Sequence, residues 1–256
     1  MRANFFQRIA IIVKSIYVTL KITFIVLVWQ LRHSYDRKEG DELLRWWSSR
    51  LLDAVRATYE VSNPHNISLE PGRPYIIMSN HRSHYDIPLI FMAFPKGSIR
   101  MLTKKELFRV PIWGKGMKAG EFVSIDRHDH EQAIKDLKEA RAKMEDGIIL
   151  WIAPEGTRSR DGSLGKFKKG GIVLAIETGA TIIPVGIVGS EKILPAGTLN
   201  FNLGQHVVVN IGRPIDASKY TMKQKDMFLK DVRASIEGLI SCADATTVSL
   251  GMENTR

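Results

Sequence analysis

From residue 9 to residue 31 the chain reads IAIIVKSIYVTLKITFIVLVWQL, apolar apart from two lysines and a few small polar residues. Gln7, Lys14 and Lys21 fall seven residues apart, so a helix aligns them as one narrow polar stripe beside a wide apolar face. A lysine at a bilayer centre costs about 2.5 to 3.5 kcal/mol on insertion scales. Two of them favour a helix lying in the membrane interface. A span with snorkelling lysines is the alternative that the length allows, and a secretory signal is disfavoured because no small-x-small cleavage site follows. After the polar break at 34–40, Asp41 is placed to cap a second helix, with Leu43, Leu44, Trp47, Leu51 and Val55 at helical spacing to about Tyr59. That stripe can pack on the rest of the protein while Trp46 and Trp47 sit at headgroup depth. Residues 1–60 are therefore expected to form a two-helix membrane-docking hairpin.

From Val61 the texture changes to short apolar runs separated by Gly and Pro, alternating with amphipathic segments. Strands are expected at 75–79, 98–103, 121–125, 148–153, 181–188 and 206–212, several apolar throughout, as strands covered on both faces are. Helices are expected over Ile87–Phe94, Lys105–Val110, His130–Asp146, Gly171–Thr178 and Met222–Ile240. The fold class is α/β: a mostly parallel or mixed central sheet flanked by helices, over residues 61–242, with a polar tail at 243–256.

Composition narrows the partners. A chain of 256 residues with 44% hydrophobic content can bury a core, and its one cysteine, Cys242, excludes an intramolecular disulfide framework. The net charge of +10 points to an anionic partner: nucleic acid, acidic lipid or a phosphorylated substrate. RNA-binding motifs with interleaved aromatics are absent, which disfavours nucleic acid.

Chemistry concentrates in two stretches. SNHRSHYDIP, 79–88, puts two histidines, a serine and an aspartate after a strand, at the carboxyl end where α/β sheets place their sites. His81 and Asp86 are too far apart in sequence to meet on one helix face or one strand face. A strand ending near Asn80, a loop, and a helix opening near Asp86 would bring them together, with Pro88 tolerated in the first turn. Such a pair is a base dyad, an imidazole whose tautomer a carboxylate fixes. A serine nucleophile at Ser83 is disfavoured, since no G-x-S-x-G elbow exists in the chain. A metal site from His81, His84 and Asp86 is disfavoured too, because the second histidine cluster, DRHDH at 126–130, reads as a helix start with Asp129 and Gln132 in a capping pattern. In APEGTRSRDG, 153–162, Gly156 frees the backbone to turn and expose N–H groups, and Arg158 offers a planar grip for phosphate. Arg160 and the lysines at 166, 168 and 169 read as solvated basic surface with added attraction for headgroups.

NHRSHYD, GEFVSIDR, APEGTRS and IIPVGI, in that order, resemble the four motifs of the glycerolipid acyltransferase family, across about residues 60–215. KKELFRVPIWG, 104–114, is also similar to the segment between the family's first two motifs. Ala153 departs from the phenylalanine usual there. The resemblance implies transfer of a fatty acyl group from an acyl-CoA or acyl-carrier-protein thioester to the sn-2 hydroxyl of lysophosphatidate, giving phosphatidate. It further implies His81 as general base, Asp86 as its orienting partner, an acceptor-phosphate site at Arg127, Glu155, Gly156, Thr157, Arg158 and Lys105, and Pro184 at an acyl or acceptor pocket. No metal and no cofactor beyond the co-substrate are expected. The expected setting is the cytoplasmic face of a membrane bearing anionic lipid, with acyl carrier protein as a possible donor. Other acceptors are glycerol-3-phosphate, another lysophospholipid or an aminoacyl lysolipid. A non-catalytic lipid-binding module is the reading from a different class.

Overall fold

The computed structural model describes residues 1–70, 72–126 and 129–253, with His130 and 243–253 as backbone only. Helix α1 (Phe5–Leu31) opens on a capping box, Asn4 accepting the Gln7 N–H and Gln7 reaching back to the Asn4 N–H. There follow α2 (Arg37–Ala54), β1 (Thr58–Ser62), β2 (Tyr75–Ser79), α3 (Asp86–Ala93), β3 (Ile99–Lys104), a 3-10 turn at Lys105–Arg109, α4 (Trp113–Ala119), β4 (Val123–Ile125) and α5 (His130–Glu145). The chain ends through β5 (Ile149–Ile152), α6 (Gly170–Thr178), β6 (Thr181–Val188), α7 (Ser190–Ile193), β7 (His206–Ile211), β8 (Ile215–Asp216) and α8 (Lys225–Glu253).

The strands form one sheet in the order β1-β7-β6-β2-β5-β3-β4, with β8 pairing β6 beside that path. Pairings among β6, β2, β5, β3 and β4, and between β1 and β7, are parallel, while β7 and β8 run antiparallel to β6. It is a mixed sheet. The apolar runs alternate between two cores, as period-two strands must. Tyr75, Ile77, Ile149 and Trp151 face the α1, α2 and α3 side with Ile11, Leu52, Val55 and Leu89. Ile76, Met78, Leu150 and Ile152 face α5, α6 and α8 with Met144, Leu174, Phe228 and Val232.

Several expectations are corrected. Asp36, not Asp41, caps α2 through the Glu39 N–H. Asp41 instead meets the fully buried Arg100, whose Nη1 donates to its Oδ1 at 2.6 Å, while Arg100 Nε donates to Gly120 O at 2.6 Å and Nη2 to the Tyr35 hydroxyl at 3.1 Å. Arg37 pairs with Glu121 at 2.7 Å and also with Asp146. These ion pairs bind α2 to β3 and to the chain after α4. The second helix stops at Ala54 because Thr58 already enters β1, an exposed edge strand with a weak apolar signal. Lys105–Arg109 is 3-10 rather than α. Helix α4 was unexpected because glycines disfavour helices. Here close packing requires them: a Cβ on Gly114 would lie 2.1 Å from Phe108 O, and one on Gly116 2.5 Å from Thr23 Cγ2. Helix α8 runs past the expected end at Ile240 to Glu253.

Candidate active site

Strand β2 is buried along its length and ends on two polar anchors. Trp151 Nε1 donates to Ser79 Oγ at 3.0 Å. The Asn80 amide copies a strand ladder, donating to Ile187 O and accepting the Ile187 N–H, both at 2.8 Å. The loop beyond therefore leaves the sheet from a fixed point beside β6. Asp86 begins α3, and its Oδ2 accepts from His81 Nδ1 at 2.8 Å, from the Arg82 N–H at 2.7 Å and from the Ser83 N–H at 2.9 Å. A carboxylate there also meets the positive end of the α3 dipole. The carboxylate is fully buried and the imidazole side chain 16% exposed. With Nδ1 engaged, Nε2 is the remaining ring nitrogen. Trp151 holds the ring edge-on at a centroid distance of 5.8 Å.

The loop after β5 grips the same residue from behind. Gly156, at φ +74°, lets the chain turn sharply, its N–H bonding Ala153 O at 3.0 Å. That turn drives Glu155 inward until it is 5% exposed. Its Oε1 accepts the His81 N–H at 2.9 Å and its Oε2 the Gly165 N–H at 2.7 Å. A Cβ at residue 165 would lie 2.9 Å from that oxygen, so the place suits glycine. The Ser159 N–H closes on His81 O at 2.8 Å. Burial raises the Glu155 carboxyl above its usual range, an effect the Gly165 and His81 N–H groups partly offset. Arg82 completes the bracing, its Nη2 donating to Gly162 O at 2.5 Å with Nη1 4.0 Å from Glu191.

Arg158 is half-buried near the Asp86 carboxylate and makes no ion pair or side-chain hydrogen bond with another described residue. Desolvation lowers its pKa, the Asp86 carboxylate acts against that, and Arg160 adds to it. His84 lies near Arg158 and is exposed at the surface. Desolvation first, then the nearby charges of Arg158 and His81, bring its pKa down to about 4, so it is neutral at pH 7.

The other expected residues are scattered. Thr157 is exposed on the turn. Lys105 Nζ lies 3.4 Å from Asp126 Oδ2, so its charge is partly occupied. Arg127 lies outside the described residues. Pro184 is buried within β6 opposite Met78, its ring against Gly212. It sits where the edge partner of β6 changes from β8, paired at Thr181–Ile182, to β7, paired from Val185, so no ladder bond needs its missing N–H. Asp129 caps α5 through the Gln132 N–H, as its pattern suggested. Among the described residues no group of three His, Cys, Asp or Glu side chains is arranged to hold a metal. Sequence reasoning missed the frame itself, namely Asn80, Arg82, Ser159 and Gly165. Only Asn80 gave a signal, as a polar residue directly after a wholly apolar strand.

An apolar cavity of about 70 Å³ lies between α1, α2, α3, β3 and α4, lined among others by Thr23, Val26, Leu44, Trp47, Phe91 and Met117. Its far side is held by the Arg100 partners Tyr35 and Gly120.

A family model described as Acyltransferase matches residues 58–188. Over 226 residues the chain is 29% identical to the chloroplastic 1-acyl-sn-glycerol-3-phosphate acyltransferase LPAT1 of Arabidopsis thaliana, covering 85% of this chain and 60% of that protein. It is 32% identical over 140 residues to the 1-acyl-sn-glycerol-3-phosphate acyltransferase of Pseudomonas aeruginosa, covering 54% of this chain and 52% of that one. The matched region thus spans only about half to three fifths of these relatives' lengths. The crystal structure of the 1-acyl-sn-glycerophosphate (LPA) acyltransferase PlsC from Thermotoga maritima is similar with a TM-score of 0.67 at 25% identity, covering 91% of this chain and 98% of that one.

Proposed function

This chain belongs to the acyltransferase family, and from that premise we propose that it moves a fatty acyl group from a thioester, acyl-CoA or acyl-carrier protein, to the sn-2 hydroxyl of lysophosphatidate, giving phosphatidate. The observation that carries the reading is the 2.8 Å bond between His81 Nδ1 and Asp86 Oδ2, with the guanidinium of Arg158 beside it. In this mechanism Asp86 accepts the Nδ1 proton and so fixes the tautomer in which Nε2 is basic. Nε2 takes the proton of the acceptor hydroxyl as its oxygen attacks the thioester carbonyl carbon. The C–S bond breaks, and the leaving thiolate takes the proton back from the imidazolium. No covalent enzyme intermediate is needed, because a thioester is already activated.

Arg158 is the residue we assign to the acceptor phosphate, since it is half-buried and has no ion-pair partner among the described residues. Glu155 has both oxygens committed to backbone N–H groups, so we assign it to positioning His81 rather than to the phosphate. The apolar cavity walled by α1, α2 and α4 is the proposed receptacle for the end of an acyl chain, although at about 70 Å³ it is smaller than a whole ligand pocket. Helix α1 is proposed to lie in one leaflet. It is long and apolar enough to cross a membrane, but Ile11, Val18 and Val26 face the body of the protein while Phe6, Val13, Ile16, Leu20 and Phe24 face outward. That two-sidedness supports an interfacial position. Each methylene drawn from bilayer to water costs about 0.8 kcal/mol, which gives the enzyme reason to meet its substrate in the bilayer.

The test is His81→Ala assayed for phosphatidate formation from lysophosphatidate and acyl-CoA, with other acceptors in parallel. Transfer should fall by about 10² to 10⁴, the usual share of a general base, with vesicle binding retained. Undiminished activity would remove the base assignment, and faster turnover of another acceptor would change the substrate.

A further inference from the structure

Between the 3-10 turn and α4 the chain reverses tightly through Val110, Pro111 and Ile112. The Trp113 N–H donates to Pro111 O at 2.7 Å, an i to i+2 bond, and Ile112 between them has φ +64° and ψ −60°. This is the strained form of the γ-turn. Glycine would occupy it at no steric cost, whereas for a β-branched side chain it is a genuine outlier. The strain gains the fold nothing in burial, since Ile112 is 55% exposed and Val110 41% exposed. Backbone strain of this kind clusters where it serves function.

The turn has a definite neighbourhood. Directly after it, α4 packs on α1 with Gly116 against Thr23, too close to admit a Cβ. Leu20 and Phe24, on the stripe of α1 next to Thr23, are exposed. The apolar tip of the turn therefore borders the apolar outer face of α1. Lys104, Arg109, Lys115 and Lys118 are exposed on either side of it in sequence, none of them ion-paired among the described residues, against Glu106 as the exposed acid of that segment. Trp113, which follows the turn, lines the apolar cavity.

We propose that the Val110–Ile112 turn is a second membrane contact, a wedge that enters the same anionic leaflet as α1 and is seated there by the flanking cations. The occupant is a lipid surface because an apolar tip flanked in sequence by unpaired cations matches acyl chains beneath acidic headgroups. It is continuous with the face that α1 presents, and the inference rests on the interfacial reading of that helix. A single helix in an interface can roll about its axis. A second apolar contact to one side of it stops the roll and holds the Trp113 end of the cavity against the lipid.

The experiment measures partition of the full-length protein onto vesicles of phosphatidylcholine with phosphatidylglycerol, comparing Ile112→Gly with Phe24→Asp. Glycine relieves the turn, so Ile112→Gly should keep or raise thermal stability while weakening partition by about tenfold through lost apolar contact. Phe24→Asp reports on α1 alone. Weakening by Phe24→Asp with no effect of Ile112→Gly overturns the wedge and leaves the α1 reading standing. No effect of either variant overturns both. A polarity-sensitive fluorophore on Ile112→Cys, in a Cys242→Ser background, should shift to the blue on vesicle addition, and an unshifted spectrum also overturns the wedge.

Discussion

Replacing Glu155 by glutamine separates two roles that a buried acid near an arginine invites one to confuse. In the fold both carboxylate oxygens accept backbone N–H groups, from His81 at 2.9 Å and from Gly165 at 2.7 Å. Glutamine keeps one acceptor and turns an NH2 toward the other donor, leaving one buried N–H unsatisfied at about 1 to 3 kcal/mol. Removing a desolvated charge offsets part of that, so the net loss in stability should be about 0 to 2 kcal/mol. Activity should suffer more. The His81 backbone is released on one side, and a displacement of about 1 Å at a reacting group costs about 10²-fold in rate. The expected kinetic result is a fall in kcat with the acceptor KM nearly unchanged. A pH series supplies an independent reading. Burial raises the Glu155 pKa above its ordinary 4.5, so between the unfolded and folded values the native state binds more protons. Native stability therefore falls as pH rises through that window. Thermal or urea unfolding of wild type and Glu155→Gln should show the variant gaining on the wild type as pH increases from about 4.5. A raised acceptor KM with unchanged kcat and no change in the pH dependence of unfolding would place Glu155 on the substrate and refute the positioning argument.

Arg158→Ala should raise the acceptor KM by about ten to a hundredfold through loss of a charge-assisted contact, and Arg158→Lys should recover part of it; kinetics with lysophosphatidate and with an uncharged acceptor check this, since only the first should respond. Leu44→Trp fills part of the apolar cavity and should shift preference toward shorter acyl chains by about 0.8 kcal/mol for each methylene excluded, read from competition between acyl-CoA donors; an unchanged chain profile would empty the cavity of its proposed role. Arg100→Met leaves Asp41 and Glu121 facing a buried gap and should cost about 3 to 5 kcal/mol, measured by urea unfolding, with Asp41→Asn in the same chain restoring some of the loss.

The parts legible in the sequence were those with a local cause. The runs YIIMS, IILWIA and TIIPVGIV had to be strands buried on both faces, and the sheet places them side by side at its centre. The meeting of His81 with Asp86 was legible for a topological reason: spacing forbade a single helix or strand, so a strand, loop and helix start had to intervene. What stayed hidden has its cause elsewhere in the chain. Glycine in α4 reads as a helix breaker until Thr23 and Phe108 are seen against it. The strand at 98–103 was expected, but nothing in the sequence marked Arg100 within it as the partner of Asp41, Tyr35 and Gly120. Glu155 reads as an acid near a phosphate site until the chain brings Gly165 and His81 to its two oxygens. Each depends on a partner distant in sequence, and periodicity carries no record of that pairing.

The N-terminal segment shows the same dependence at larger scale. Read from hydropathy, residues 1–60 form a membrane-docking hairpin set apart from the α/β domain. In the fold, a cut at residue 60 passes through β1, whose register with β7 runs from Thr58 against His206 to Ser62 against Asn210. It would also strip Ile11, Leu52 and Val55 from the core beneath the sheet, take one side from the apolar cavity and leave Arg100 buried without Asp41. The first three residues add to the tie, with the Ala3 N–H bonded to Phe201 O at 2.9 Å. The surface proposed to meet lipid and the side chains proposed to act on it therefore belong to one packed unit, and the helix proposed to lie in the membrane is also a wall of the cavity proposed to take the acyl chain.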